Sequence, residues 1–247
     1  MKTKIEQDVS AGKTTQEELL RENARLRGDL LAIATRISHD LRTPLGGIVN
    51  TAELLKEILI EKNPNDVLLT DSLLTSVDEL TKLISQVRVL TKATAEPKPK
   101  EWLKMETVVF GALQRLESRI LKKSATVVEP EFWPEVNGVA DWLEFIWCNL
   151  LTNALEHGGE KPRLELSWQK TKSGFRFQVC DHGSGAPPEA VAKLFQPFDS
   201  LHQPGGTRGL GLSVVQRLVD LQDGSCGYTL TPNGGACFYF TLPLVGI

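Results

Sequence analysis

The 247-residue sequence predicts an α+β protein in two parts, a long helical hairpin followed by a mixed domain of helices and strands. Three observations predict it. Apolar residues recur at Leu26, Leu30, Ile33, Ile37, Leu41, Leu45 and Ile48, in steps of three and four, which marks one stripe of an amphipathic helix. Asn63-Pro64-Asn65 interrupts that helix, and a second stripe follows at Leu73, Val77, Leu80, Ile84 and Val87. Beyond the proline-containing stretch Ala93–Lys100 the composition changes: all five tryptophans lie after it, and β-type segments begin.

Taken in order, residues 1–13 are polar and lack periodicity, so a disordered tail or linker stub is expected there. Thr14 and Glu17 have capping-box spacing and start a helix. Leu19, Asn23, Leu26, Leu30, Ile33 and Ile37 then fall on heptad positions, with Asn23 at an a site, the pattern of a parallel coiled-coil entry. A helix running to about Lys62 would be ~70 Å long and could not bury its own stripe. The second helix, from about Asp66, completes a hairpin over residues 14–94. Two such hairpins in a homodimer would close a four-helix bundle. Residues 95–101, with Pro97 and Pro99, form an extended linker. Residues 102–247 read as the second domain. Met105–Lys122 and Ala140–Glu156 are helical; Thr126–Glu129, Leu164–Gln169 and Phe175–Cys180 are strands. A long loop spans Gly183–Arg208, Gly209–Gln222 is a helix, and Tyr228–Thr231 and Cys237–Leu242 close the domain as a hairpin.

The net charge of −3 gives no reason to expect nucleic acid or an anionic membrane as partner. No apolar run approaches a membrane span, and the first residues lack a signal-peptide core. Cys148, Cys180, Cys226 and Cys237 have no paired spacing. Reduced, buried thiols in a cytoplasmic protein are expected, without metal binding.

Four stretches carry chemistry. In Ile37–Leu45, His39 lies two residues from both Ile37 and Leu41 and so points off the stripe toward water. Pro44 removes the helical donor to the Asp40 carbonyl and predicts a kink. Asn149 and Asn153 are four apart and share a helical face; an amide oxygen suits Mg²⁺ without adding negative charge beside a triphosphate. Asp181-His182-Gly183-Ser184-Gly185 ends a strand with a carboxylate and two turn-permitting glycines. Gly205-Gly206-Thr207-Arg208-Gly209-Leu210-Gly211-Leu212 opens onto a helix, where free N–H groups favour phosphate. No P-loop pattern occurs. Each glycine cluster alone is a weak signal.

Together and in this order the motifs resemble those of bacterial sensor histidine kinases. Ser38-His39-Asp40-Leu41-Arg42-Thr43-Pro44-Leu45 is similar to the phosphoacceptor box. The three later clusters resemble the N, G1 and G2 boxes of the GHKL superfamily, and Leu194-Phe195-Gln196-Pro197-Phe198 resembles the F box. The resemblance covers about residues 28–243. It implies a HisKA-type dimerisation domain followed by a GHKL (Bergerat) α/β sandwich that binds ATP and Mg²⁺. His39 would be the phosphoacceptor and Asp40 would accept its proton. Thr43 would position water for dephosphorylating a response regulator. Asn153 would coordinate Mg²⁺ with Asn149 in support. Asp181 would bind the adenine amino group, Gly183 and Gly185 would shape the pocket floor, and Gly209 and Gly211 would cradle phosphates beside Thr207, Leu210 and Leu212. Phe195 and Phe198 would anchor a mobile lid, and Arg208 would reach the γ-phosphate.

Two residues depart from the pattern. Glu156 stands where Lys or Arg is frequent, and Ala236 where Thr or Ser is usual. Two other readings compete: an ATP-hydrolysing GHKL machine, disfavoured because Asn149 stands where such enzymes place a glutamate base, and a non-catalytic dimeric scaffold.

Overall fold

In the computed structural model, two compact units divide between Pro97 and Lys98. The structure describes residues 2–59, 64–196, 210–232 and 234–244. Within them, the side chains before Asn23 and those of Asp29, Ala32, Ile33, Arg36, Asp40, Arg42, Ile58, Leu59 and 64–69 fall outside the description.

The first unit is a helical hairpin of α1 (Lys2–Leu59) and α2 (Pro64–Ala95). Helix α1 begins at Lys2 and not at Thr14. Residues 2–13 hold no proline and a single glycine, so nothing in them stops helix propagation. The helix also continues through Pro44. Pro64 opens α2, where its missing N–H costs no bond. Lys56 reaches Asp71 across 2.7 Å, close to the hairpin turn.

Within one chain the expected stripe is exposed. Leu30, Ile37, Leu41 and Ile48 are 54%, 52%, 42% and 42% exposed, and Leu73 and Leu80 on α2 are similar. Buried instead are Ala34, Ser38 and Ala52 on α1 and Thr70, Val77, Thr91 and Ala93 on α2. The hairpin thus packs on small residues, which let the two backbones approach, and leaves its leucines facing outward. An apolar groove of about 530 Å³ lined by Pro44, Ile48, Ala52, Leu55, Thr70 and Leu73 separates the helices near the turn.

The second unit holds the sheet. Its elements are β1 (Glu101–Lys104), α3 (Met105–Lys122), β2 (Thr126–Val128), β3 (Glu135–Gly138), α4 (Ala140–His157), β4 (Arg163–Lys170), β5 (Gly174–Cys180), α5 (Pro188–Val191), α6 (Gly211–Asp220), β6 (Cys226–Leu230) and β7 (Ala236–Pro243). Strands β1 and β3 are additions to the elements expected from the sequence. They are four residues each, too short to show periodicity, and pair only with one another. The main sheet runs β2-β4-β5-β7-β6, parallel only between β2 and β4. Lys98 and Lys100 form ion pairs with Asp141 and Asp223, so the chain joins the second unit before β1 begins.

One face of the sheet is apolar. Leu164, Leu166, Phe177, Val179, Phe238, Phe240 and Leu242 alternate inward along their strands. Helix α4 turns Trp142, Leu143, Ile146, Trp147, Leu150, Leu151, Ala154 and Leu155 into the core. Trp147 meets Phe240 edge-on at 5.5 Å and donates its indole N–H to Met105 Sδ at 3.2 Å. The start of α4 is fixed by Gln222, 1% exposed, whose Oε1 accepts the Val139 N–H at 2.9 Å. This packing holds α4, and with it Asn149 and Asn153, against the sheet.

Candidate active site

On α1, Ser38 is buried and donates its hydroxyl to the Ala34 carbonyl at 2.6 Å, which returns the side chain to its own helix. The next residue, His39, is exposed. Thr43 is exposed one turn further on, on the same helical face. An accessible imidazole and a nearby hydroxyl can meet a reactant brought by another domain. The Asp40 side chain lies outside the described residues.

In the second unit the ends of α4, β5 and β7 converge. Asp181 follows β5 directly and is 2% exposed. Its Oδ1 accepts the Gly183 N–H at 2.9 Å and the Ala236 N–H at 3.0 Å. Its own N–H donates to the Ala236 carbonyl at 2.8 Å. Two backbone donors saturate Oδ1 and fix the carboxylate plane, while Oδ2 has no donor among the described residues. An oxygen placed this way can accept a further donor from a ligand.

The glycines act through close approach. A Cβ on Gly183 would meet the His157 carbonyl oxygen at 2.1 Å, so this turn sits directly on the end of α4. Gly185 has φ +68°, and a Cβ there would meet Leu230, the Gly234 carbonyl and the Tyr228 hydroxyl within 3 Å. The Tyr228 hydroxyl accepts the Ala186 N–H at 2.8 Å, which ties the turn to β6.

Asn149 is half-buried and donates its amide to the Phe145 carbonyl at 2.8 Å. Asn153 is half-buried and makes no side-chain hydrogen bond among the described residues. Its amide oxygen is therefore available to a hard cation, and Mg²⁺ fits such a donor when phosphates and water complete the sphere. No cluster of three or more His, Cys, Asp or Glu that could hold a metal ion occurs among the described residues. Phe195 packs edge-on against Phe238 at 6.4 Å. Leu210 is buried, Gly211 opens α6 and Leu212 is half-buried. Phe198, Thr207, Arg208 and Gly209 lie outside the described residues.

Both departures acquire a structural account. Glu156 pairs with Arg119 of α3, Oε1 to Nη2 at 3.2 Å. Its charge is thereby matched one turn past Asn153. At Ala236 it is the backbone N–H that reaches Asp181, so that bond does not depend on the side chain.

Sequence reasoning misses four contributors. Arg119 and Tyr228 act through contacts 37 and 42 residues away. Gln222 reads in the sequence only as a helix end. The cysteines are the fourth case: Cys180 and Cys237 are joined by a disulfide, contrary to the expected reduced thiols. They stand directly opposite on β5 and β7, a register that their separation of 57 residues conceals. Cys148 and Cys226 remain thiols, and burial pushes them up to about 11 and about 12.

Comparison with known proteins agrees with this geometry. Residues 29–96 match the His Kinase A (phospho-acceptor) domain, and residues 138–246 the histidine kinase-, DNA gyrase B- and HSP90-like ATPase. The chain is 29% identical over 233 residues to the sensor protein KdpD of Escherichia coli K12, covering 92% of this chain and 26% of that protein. It is 30% identical over 227 residues to the sensor protein TorS of the same organism, covering 86% and 24%. The chain therefore spans about a quarter of the length of these curated relatives. Among solved structures, full-length ShkA in complex with AMPPNP is similar with a TM-score of 0.61 and 26% identity, over 85% of this chain and 45% of that one. Among the described residues no helix is long and apolar enough to cross a membrane. With a phosphoacceptor-type segment that exposes His39, followed by an ATPase-type domain that carries Asp181, and with both matches found together in this one chain, the chain belongs to the sensor histidine kinases of two-component systems.

Proposed function

We propose that this chain is an ATP-dependent protein histidine kinase that phosphorylates His39 and passes the phosphoryl group to an aspartate of a response regulator. The observation that carries this reading is the Asp181 carboxylate, with Oδ1 saturated by backbone and Oδ2 left to accept one further donor. An adenine amino group supplies such a donor. The likeness to a structure holding AMPPNP supports a nucleotide there.

In the proposed reaction a neutral ring nitrogen of His39 attacks the γ-phosphorus in line. The N–P bond forms as the bond to the bridging oxygen breaks, and ADP leaves. Asp40 takes the imidazole proton. Asn153 would hold Mg²⁺ with Asn149 beside it; when bound, that ion neutralises phosphate charge. Gly209, Gly211 and the N-terminus of α6 would offer N–H groups to the phosphates, with Thr207, Leu210 and Leu212 shaping the loop. Arg208 would reach the γ-phosphate, and Phe195 and Phe198 would hold the lid. The exposed leucine stripes support a homodimer in which two hairpins share one core. Thr43, on the His39 face, would position water for dephosphorylating the regulator.

The test is incubation with γ-labelled ATP and Mg²⁺, comparing the parent with His39→Gln and Asn153→Ala. Acid-labile, alkali-stable label on the parent alone is the expected outcome. Nucleotide binding without label on a folded parent would favour the non-catalytic scaffold.

A further inference from the structure

The bond between Cys180 and Cys237 lies beside the candidate nucleotide site and takes no part in the proposed reaction. Four observations bear on what it does. First, the two residues are opposed across β5 and β7 with Cα atoms 4.0 Å apart. The next pair along the ladder is Asp181 with Ala236, where Asp181 donates its N–H to Ala236. The cysteines therefore occupy the adjacent, non-hydrogen-bonded position, where side chains on facing strands come closest. Second, Asp181 and Ala236 follow and precede the cysteines directly in sequence. The bridge thus fixes the register one residue from the carboxylate whose Oδ1 bond to the Ala236 N–H aims Oδ2. Third, the bridged residues stand 57 apart in the chain, and Gly183, Gly185, α6 and β6 lie between them. Fourth, Cys180 is only half-buried, while Cys237 is fully buried.

We infer that Cys180 and Cys237 form a thiol–disulfide exchange site for low-molecular-weight disulfides, whose oxidised state sets Asp181 for tight nucleotide binding. The inference rests on the reading of Asp181 as the adenine-binding residue. The exchange is a two-step transfer. The Cys180 thiolate attacks one sulfur of the small disulfide, whose S–S bond breaks and releases one thiol. The Cys237 sulfur then attacks the Cys180 sulfur and displaces the second. Two protein thiols are oxidised, one small disulfide is reduced to two thiols, and the two protein protons leave on them. Cys148 and Cys226 stand apart from this pair, and burial lowers the thiolate fraction of both below that of an ordinary thiol. In the reduced state the strand ends lose their covalent tie, and the Asp181 carboxylate is held by hydrogen bonds alone.

The experiment poises the full chain between reduced and oxidised glutathione, quenches with acid, alkylates free thiols and locates the bridge by peptide mass. Nucleotide affinity is then read by calorimetry with Mg·ADP in both states. The expected result is an intramolecular Cys180–Cys237 peptide, two alkylated thiols at Cys148 and Cys226, and a Kd about threefold to tenfold weaker after reduction, the size of effect that lost preorganisation gives. The double variant C180S/C237S is expected to bind like the reduced parent at every poise. A Kd unaffected by redox state, or only mixed disulfides with glutathione at full oxidation, would overturn the proposal. The parent alone decides this, so a variant that fails to fold leaves the test intact. Measuring D181N separates the two readings: unchanged nucleotide affinity there refutes the role of Asp181, whereas the mass measurement judges the bridge independently.

Discussion

The Ala236 N–H donates to Asp181 Oδ1 at 3.0 Å, across the ends of two strands whose residues lie 55 apart in the chain. With Gly183 as second donor, one carboxylate oxygen is held by the protein, and the other makes no hydrogen bond among the described residues. The close approach of these strands is strict, since a Cβ on Gly235 would meet the Asp181 carbonyl oxygen at 2.0 Å.

Asp181→Asn keeps an oxygen for the two backbone donors but turns an amide N–H toward the adenine amino group. Donor then faces donor. Nucleotide affinity is expected to fall at least about tenfold, roughly 1.4 kcal/mol or more, while the thermal midpoint stays close to the parent's. Calorimetry with Mg·ADP and a melting curve on the same sample check both halves. Affinity retained within twofold would remove Asp181 from the site.

The motifs proposed to carry chemistry are local runs, which is why His39, Asn149, Asn153 and Asp181 can be proposed from the amino-acid sequence alone. Long strands and helices are legible too, because Phe177, Val179, Phe238 and Phe240 alternate and α4 keeps a helical period. What escapes depends on contacts between distant segments. β1 and β3 are defined by pairing alone. The bridge between Cys180 and Cys237 needs the register of two strands whose cysteines stand 57 residues apart. The stripe of Leu30, Ile37 and Leu41 reads as apolar, yet its burial cannot be realised inside one chain, where Ala34, Ser38 and Ala52 take the inner face.

Gln222 shows how a distant side chain positions the helix that carries Asn149 and Asn153. Its Oε1 accepts the Val139 N–H, and its amide donates to the Leu218 carbonyl at 3.0 Å. Gln222→Met fills similar volume but leaves a buried N–H unpaired at the start of α4. A loss of about 1–3 kcal/mol is expected. Urea unfolding of the second unit measures it, and an unchanged midpoint would contradict the role.

Arg119 and Glu156 set up a cycle. Arg119→Ala removes the partner 3.2 Å from a carboxylate that lies one turn past Asn153. The freed charge is expected to raise the apparent KM for Mg·ATP about threefold to tenfold by repulsion, an effect that added salt reduces. The double variant with Glu156→Gln is expected to recover most of the loss. Stability changes by less than about 1 kcal/mol, because both groups are partly exposed. Recovery absent in the double variant would place the defect elsewhere.

The two half-buried free thiols give alkaline sensitivity. Burial first, with Asp220 second, pushes Cys226 up to about 12; burial first, with Glu144 second, pushes Cys148 up to about 11. An unfolded thiol loses its proton near pH ~8.5. Between about pH 9 and 11 the unfolded chain has therefore released protons that the folded chain retains, and stability falls as pH rises. Below about pH 8 both states hold the protons and the contribution is fully present. Melting curves across about pH 8 to 11 are expected to decline more steeply for the parent than for C148A/C226A. Iodoacetamide at about pH 8 is expected to label both residues in the native chain far more slowly than in urea.

The outward leucines make the strongest demand on assembly. Leu73 and Leu80 are 44% and 48% exposed on α2, and Leu30, Ile37, Leu41 and Ile48 lie exposed on α1. Each such side chain gains about 1.5–3 kcal/mol when fully buried, so a face carrying this many is unstable against water but well suited to a second copy. Replacing Leu73 and Leu80 by lysine puts two charges on that face and leaves Val77 and Ala93 buried. Sedimentation at micromolar concentration is expected to report a dimer for the parent and a monomer for L73K/L80K, with helical content largely kept. Autophosphorylation on His39 is expected to fall with the dimer, whereas Mg·ADP affinity, which belongs to the second unit, is expected to hold. A variant that sediments as a dimer would show that the exposed stripe is not the surface that joins two chains.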